Sequence, residues 1–176
     1  PFAQDCPDGE KCNPYANNGG SSWNANKCVP IVPDPDLPGE PCTVEESGVS
    51  GIDTCALGSI CWDVDNDTLM GTCIPLCTGS PEMGICPETL LCAVFNEGIL
   101  PLCLPKCDPL LQDCSPDDVC IDDPNGQGFF CVLDASGETG QLFDPCEFVN
   151  ACDPGLACKD PTSAGVCDPN AFGCCT

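Results

Sequence analysis

The residues best equipped for chemistry in this chain are its cysteines, and they recur with a fixed spacing. A Cys-x5-Cys pair occurs at Cys6/Cys12, Cys55/Cys61, Cys86/Cys92, Cys114/Cys120 and Cys152/Cys158. A further cysteine follows each pair: Cys28, Cys73, Cys103, Cys131 and Cys167. Each of the last four pairs is also preceded by one: Cys42, Cys77, Cys107 and Cys146. The repeating element is thus four cysteines with a constant middle gap and variable outer loops. Thiols at this density either oxidise to disulfides or hold metal. Zinc sites favour Cys-x2-Cys spacings, often with histidine. The chain has neither, so disulfides are expected, and with them a secreted or cell-surface location.

Other chemistry is sparse. There is no histidine for general acid–base work and no arginine, and only Lys11, Lys27, Lys106 and Lys159 are basic. A cysteine nucleophile needs a base beside it, and four scattered lysines offer little. No enzymatic activity is expected. Asp63, Asp65 and Asp67 alternate as the first ligands of a calcium loop do. Thr68 replaces the turn glycine and Ile74 the bidentate glutamate of an EF-hand, so calcium stands here as a candidate ligand against a plain solvated acidic loop. Asp117, Asp118, Asp122 and Asp123 form a second acidic cluster. Asn66-Asp67-Thr68 is the one Asn-x-Ser/Thr sequon, making Asn66 a candidate glycosylation site and glycans a candidate partner. Trp23, Trp62, Phe129 and Phe130 are read as fillers of junctions and covers for disulfides, with a sugar- or protein-binding platform as the alternative.

Composition limits the partners. With 28 acids against four bases the net charge is −24, which disfavours contact with nucleic-acid phosphates. No apolar run approaches the ~20 residues of a membrane span. Leu, Ile, Val and Phe are scarce for so charged a chain, so sulfur must supply what burial cannot.

The elements that position the cysteines are short. Asp34-Pro35, Pro38-Gly39, Asp123-Pro124-Asn125-Gly126 and Asp153-Pro154-Gly155 mark turns. Strands are expected over Thr72–Leu76, Leu100–Leu104 and Gly128–Leu133, each facing an upstream strand at Ile60–Val64, Leu91–Phe95 or Val119–Asp122. The expected fold is small, disulfide-rich and all-β or irregular: a linear array of five four-cysteine hairpin units without long helices. Units of roughly 30–40 residues are too small to bury a core each and should stack on their neighbours. The divisions are 1–41 (unit 1, leading cysteine absent, with a Pro-rich linker), 42–76, 77–106, 107–145 and 146–176. Within a unit, four cysteines allow three pairings. First-to-third with second-to-fourth is favoured, as in Cys42–Cys61 with Cys55–Cys73. The Pro-rich segment Val29–Pro41 is expected to be extended, and Val132–Pro145, with Ser136-Gly137-Glu138-Thr139-Gly140, to be a hinge or surface loop.

The odd cysteine count, 21, has a specific origin. Unit 1 lacks its leading cysteine, while the C-terminus carries Cys174 and Cys175. Reading Cys175-Thr176 into Pro1-Phe2-Ala3-Gln4-Asp5-Cys6 gives a segment identical at five of eight positions to Cys107-Asp-Pro-Leu-Leu-Gln-Asp-Cys114. Three explanations stand: one period of a tandem polypeptide, separate subunits joined head to tail, or a longer natural N-terminus. In the first two, Cys6, Cys12, Cys28, Cys174 and Cys175 form an end-to-end junction and the protein's principal partner is itself. Cys12 then lacks its partner within one chain, and Cys174 is left unassigned.

The segments Cys107–Cys114, Val49-Ser-Gly-Ile-Asp-Thr-Cys55, Cys61-Trp-Asp-Val-Asp65, Asp144-Pro-Cys-Glu-Phe-Val-Asn150 and Cys152-Asp-Pro-Gly-Leu156 together resemble an uncharacterised family of secreted, cysteine-rich repeat proteins of myxobacterial-type bacteria. The resemblance covers nearly the whole chain. It implies an extracellular location and a repeat architecture, but no activity. A sugar-phosphate epimerase assignment is rejected, because that barrel needs ~250 residues. The expected function is a structural subunit, or repeat period, of a secreted filament joined end to end and stabilised by disulfides. The alternative is a monomeric secreted or surface module recognising sugar, calcium or protein, with protease inhibition a distant third.

Overall fold

The computed structural model describes residues 1–123, 126–137 and 139–176. Pro124 and Asn125 of the expected turn, and Glu138 of the expected hinge, lie outside the described residues. The fold is a set of small antiparallel sheets tied by disulfides. Among the described residues there is no α-helix, only 3₁₀ turns at Asn96–Gly98 and Pro161–Ser163. No helix is long and apolar enough to cross a membrane. The chain divides into two compact bodies, Pro1–Cys103 and Leu104–Thr176.

In the first body, β1 (Glu10–Tyr15) pairs with β2 (Ala25–Pro30). β3 (Pro41–Thr43) and β4 (Ser59–Trp62) flank β5 (Met70–Pro75). A two-residue ladder joins β6 (Thr78–Gly79) to β7 (Gly84–Ile85), and β8 (Leu90–Phe95) pairs with β9 (Leu100–Pro105), whose last two residues already belong to the second body. In the second body, β10 (Asp118–Asp122) pairs with β11 (Phe129–Leu133). There β12 (Pro145–Cys146) and β13 (Cys158–Lys159) flank β14 (Gly173–Cys175). The three strand pairs read from the sequence are present with ends shifted by one or two residues.

Ten disulfides form. The crossed order appears as Cys42–Cys61 with Cys55–Cys73, Cys77–Cys92 with Cys86–Cys103, and Cys107–Cys120 with Cys114–Cys131. These half-cystines are the core. Cys55 and Cys73 are fully buried with Cys42 and Cys61, and Val64 and Leu69 pack against them. Loops of this size each contribute about 3 kcal/mol in the chain-entropy account.

The C-terminal segment departs from expectation. Cys146 pairs with Cys158 as expected, but Cys152 pairs with Cys175, and Cys167 with Cys174. The cause is strand register. The third cysteine of a unit faces the fourth across its hairpin: Cys61 faces Cys73, and Cys120 faces Cys131. Cys158 faces Cys175 in the same way, so Cys175 is the fourth cysteine there. Cys167 lies in the intervening loop. Gly173 is required at this point, because a Cβ would lie 2.6 Å from the Cys158 sulfur and 2.9 Å from that of Cys146.

The connecting segments are tied down. Asp36 exchanges backbone hydrogen bonds with Thr54 and Ala56, and Gly39 and Glu40 bond to Cys73, so the Pro-rich linker runs along the next sheet. In the segment read as a hinge, the Ala135 amide donates to Asn150 O, the Asn150 side chain donates to Leu133 O at 2.8 Å, and the Asp153 amide donates to Gly140 O. Ser136 is buried.

Candidate end-to-end junction

Cys12 is the one free cysteine, and it is only 8% exposed. It sits in β1 opposite Cys28, as Cys61 sits opposite Cys73. Cys28 is bonded to Cys6, the second-to-fourth pairing. The position of Cys12 is that of Cys61, Cys92, Cys120 and Cys158, each of which is bonded to a leading cysteine.

The surroundings of Cys12 match those of Cys120 closely. Gln4 Nε2 donates to Pro1 O and to Cys12 O, both at 2.9 Å, and the Cys12 amide donates to Gln4 Oε1 at 2.9 Å. Gln112 Nε2 donates to Pro109 O at 2.9 Å and to Cys120 O at 3.4 Å, and the Cys120 amide donates to Gln112 Oε1 at 3.3 Å. Both glutamines have positive φ, 45° and 49°. Pro109 follows the leader Cys107 by two residues, and Pro1 occupies the same place beside Cys12.

Asp53 does this work in the second four-cysteine segment and couples it to the first. Its Oδ2 accepts from the Cys61 amide at 3.2 Å and from Asn13 Nδ2 at 2.8 Å. Its Oδ1 accepts from the Cys55 amide at 2.8 Å and from Lys11 Nζ. Lys11 is fully buried, and its Nζ also donates to Cys55 O at 2.7 Å and Ser59 O at 3.0 Å. Burial holds the Lys11 amine below its ordinary pKa, with Asp53 opposing the shift through charge and hydrogen bonding. Gly51 lets its loop lie on β1: a Cβ would come within 2.7 Å of Pro14 O, at a φ of +73°. Trp23 and Trp62 stack across the same two segments with ring centroids 5.5 Å apart, as the junction-filling reading expects.

The expected junction set is therefore divided. Cys6 and Cys28 bond each other and leave Cys12 unpaired, but Cys174 and Cys175 are consumed by Cys167 and Cys152. Cys175 lies in the central strand of its sheet, so lending it to Cys12 would dismantle that sheet. The expectations that Cys175 serves as leader and that Cys174 stays unassigned are corrected. Sequence reasoning missed the residue two before the second cysteine, where Gln4, Asp53 and Gln112 each accept the third cysteine's amide.

The calcium triplet folds on itself. Asp65 Oδ1 accepts from the Asp67 amide, the Thr68 amide at 2.7 Å and Thr68 Oγ1 at 2.9 Å, which holds the Asp65 carboxyl below its ordinary pKa. Among the described residues, no three carboxylates gather within 4.8 Å of one another; the clusters at that range are half-cystines such as Cys42, Cys55 and Cys61. Asp63, Asp65 and Asp67 are exposed, as is Asn66 in its turn. In the second acidic cluster, Asp122 pairs with Lys159 at 2.9 Å, and Asp123 is buried and accepts from the Gln127 amide.

The chain matches no family model, no curated protein and no solved structure. The likeness to secreted cysteine-rich repeat proteins thus rests on the sequence motifs. The ten disulfides fit a stabilised secreted or extracellular protein.

Proposed function

We propose that the protein is a non-enzymatic structural subunit, or repeat period, of an extracellular filament, linked end to end through Cys12. The observation that carries this reading is the buried thiol of Cys12, set where the equivalent cysteines are disulfide-bonded and flanked by a Pro1–Gln4 clamp matching Pro109–Gln112. The leader that completes it is a cysteine of an adjoining repeat, placed as Cys107 is placed before Pro109, since the ten disulfides leave a folded copy no thiol but Cys12 itself. It is not Cys175 of a folded copy. Crosslinks give resistance to proteases and denaturants, and the net charge of −24 keeps filaments apart laterally.

Gels with and without reductant, together with intact mass, test this. A ladder that collapses to the 18.3 kDa chain on reduction supports subunits linked by exchange of an intrachain disulfide, since one thiol per chain permits at most a Cys12–Cys12 dimer with all ten bonds intact. A much larger mass that survives reduction supports a tandem polypeptide. A single 18.3 kDa species in both lanes refutes the filament and leaves a monomeric module.

A further inference from the structure

The two hairpins that carry a third strand show what the first hairpin lacks. Beside β5, the Cys73 amide donates to Glu40 O at 2.9 Å and the Gly39 amide to Cys73 O at 2.8 Å. Beside β14, the Cys175 amide donates to Asp144 O at 2.9 Å and the Phe143 amide to Cys175 O at 2.8 Å. The leading cysteine sits opposite the residue two before the fourth: Cys42 faces Gly71, and Cys146 faces Gly173. The Cys77 and Cys107 amides donate in the same place, to Pro101 O at 3.0 Å and Phe129 O at 3.3 Å. The incoming segments of β3 and β12 also share a turn. Gly39 and Phe143 both have positive φ, 90° and 74°. The Glu40 and Asp144 carboxylates accept from the Leu37 and Gln141 amides at 2.7 Å and 3.1 Å. Each segment then runs acid-Pro-Cys, as Glu40-Pro41-Cys42 and Asp144-Pro145-Cys146.

On β2 the same edge is open. The Ile31 amide donates to Gly9 O in the β1–β2 register, which makes Lys11 with Val29 and Asn13 with Lys27 the bonded pairs. Asn26 and Cys28 are the alternate residues, so their amides and carbonyls point away from β1. Among the described residues no strand lies on that side of β2. Asn26 and Cys28 are exposed, whereas the equivalents of Cys28, which are Cys73, Cys103, Cys131 and Cys175, are all buried. A cysteine facing Asn26 on this edge would stand to Cys12 as Cys42 stands to Cys61.

We propose that the outer edge of β2, at Asn26 and Cys28, takes as its third strand an extended acid-Pro-Cys segment of an adjoining repeat. Strand addition supplies register through the backbone, and the leading cysteine supplies the bond to Cys12. The proposal rests on the reading of Cys12 above and names the chemistry of its partner. Joining the two thiols releases two electrons and two protons, which a low-molecular-weight disulfide accepts by exchange.

A synthetic peptide of the sequence Leu37-Pro-Gly-Glu-Pro-Cys-Thr43, carried as its mixed disulfide with glutathione, tests this on the unlinked 18.3 kDa chain. The Cys12 thiolate attacks the peptide sulfur. The new S–S bond forms as the old one breaks, and glutathione leaves as a thiolate that takes up the proton Cys12 released. Intact mass should show the peptide adduct forming at least tenfold faster than with the same peptide N-methylated at its cysteine amide, which cannot donate to Asn26 O. Hydrogen exchange at the Cys28 amide should slow at least tenfold in the peptide adduct and stay unchanged in a Cys12–glutathione adduct. Equal capture of the N-methylated peptide, or unchanged exchange at Cys28 in the peptide adduct, overturns the added strand. Neither result touches the filament, which the mass of the native material decides. A native 18.3 kDa species that captures and protects as expected refutes the filament and upholds the open edge.

Discussion

Removing Asp53 should destabilise the first body more than any other single polar substitution in it. In Asp53→Ala, Lys11 Nζ keeps only the carbonyls of Cys55 and Ser59, while Asn13 Nδ2 and the amides of Cys55 and Cys61 lose an acceptor. Breaking a buried pair from one side costs about 3–5 kcal/mol, because the abandoned charge stays desolvated. Lys11→Met removes the cation instead. Asp53 then retains Asn13 Nδ2 and two backbone amides, a donor set that stabilises a carboxylate, so the cost falls to about 1–3 kcal/mol. The two substitutions share partners, and the double variant should cost less than their sum. Urea unfolding without reductant measures this through tryptophan fluorescence. The two tryptophans stack across the same junction, so the signal is local to it. With a slope of about 1–3 kcal/mol per molar urea, Asp53→Ala moves the midpoint down by at least about 1 M. Equal midpoints for the two single variants, or a larger loss from Lys11→Met, would show that the pair is not the clamp described.

Other expectations follow from the same geometry. Thiol titration of the unlinked 18.3 kDa chain should find one reactive group, reacting at least tenfold faster in denaturant because Cys12 is buried; fast labelling of the native chain contradicts this. Asp65 should titrate below the ordinary 3.8, so the stabilisation of its turn is present above 3.8 and is lost as pH falls through the lower folded value. Thr68→Ala should return it toward 3.8, and an NMR titration that leaves Asp65 at or above that value refutes the bonding. Removing the short Cys167–Cys174 bridge, with a sequence separation of 7, should cost about 2.4 kcal/mol, against about 3.4 for Cys152–Cys175 with a separation of 23. Midpoints in the reverse order would show that Cys175 is not the cysteine holding the sheet.

The parts of the fold that depend on local spacing were readable from the sequence. A Cys-x5-Cys pair followed by a β-rich run places the third and fourth cysteines opposite each other, and the hairpins follow. The last segment was not readable, because two Gly-x-Cys triplets compete there: Gly165-Val166-Cys167 and Gly173-Cys174-Cys175. Only pairing with β12 and β13 selects the second. Lys11 was equally obscure. It occupies the place held by Ile60, Leu91 and Val119, all buried apolar residues, and nothing nearby in sequence announces that Asp53 will meet it 42 residues away. The acidic triplet shows a local arrangement that its spacing does not announce. Its spacing suits a metal loop, but Thr68 satisfies Asp65 from within the turn.

These features bear on how a chain so poor in apolar core can extend. Each hairpin closes on its own disulfides, so each joint between hairpins needs only a few contacts: a buried ion pair, an aromatic stack, or one apolar side chain seated on half-cystines. Joints of that kind are modular, since they rely on neither a shared core nor a continuous sheet. A further four-cysteine unit can therefore be joined, and can supply a leader to the unpaired thiol, without any refolding of the first. Repulsion between copies of charge −24 makes such a joint weak until it is covalent. The thiol that would lock it is Cys12, which is 8% exposed, and Gln4 fixes its place in the hairpin by bonding its backbone amide and carbonyl. A Gln4→Ala chain loses both bonds and should show faster labelling of Cys12, and unchanged labelling would remove the clamp from the argument.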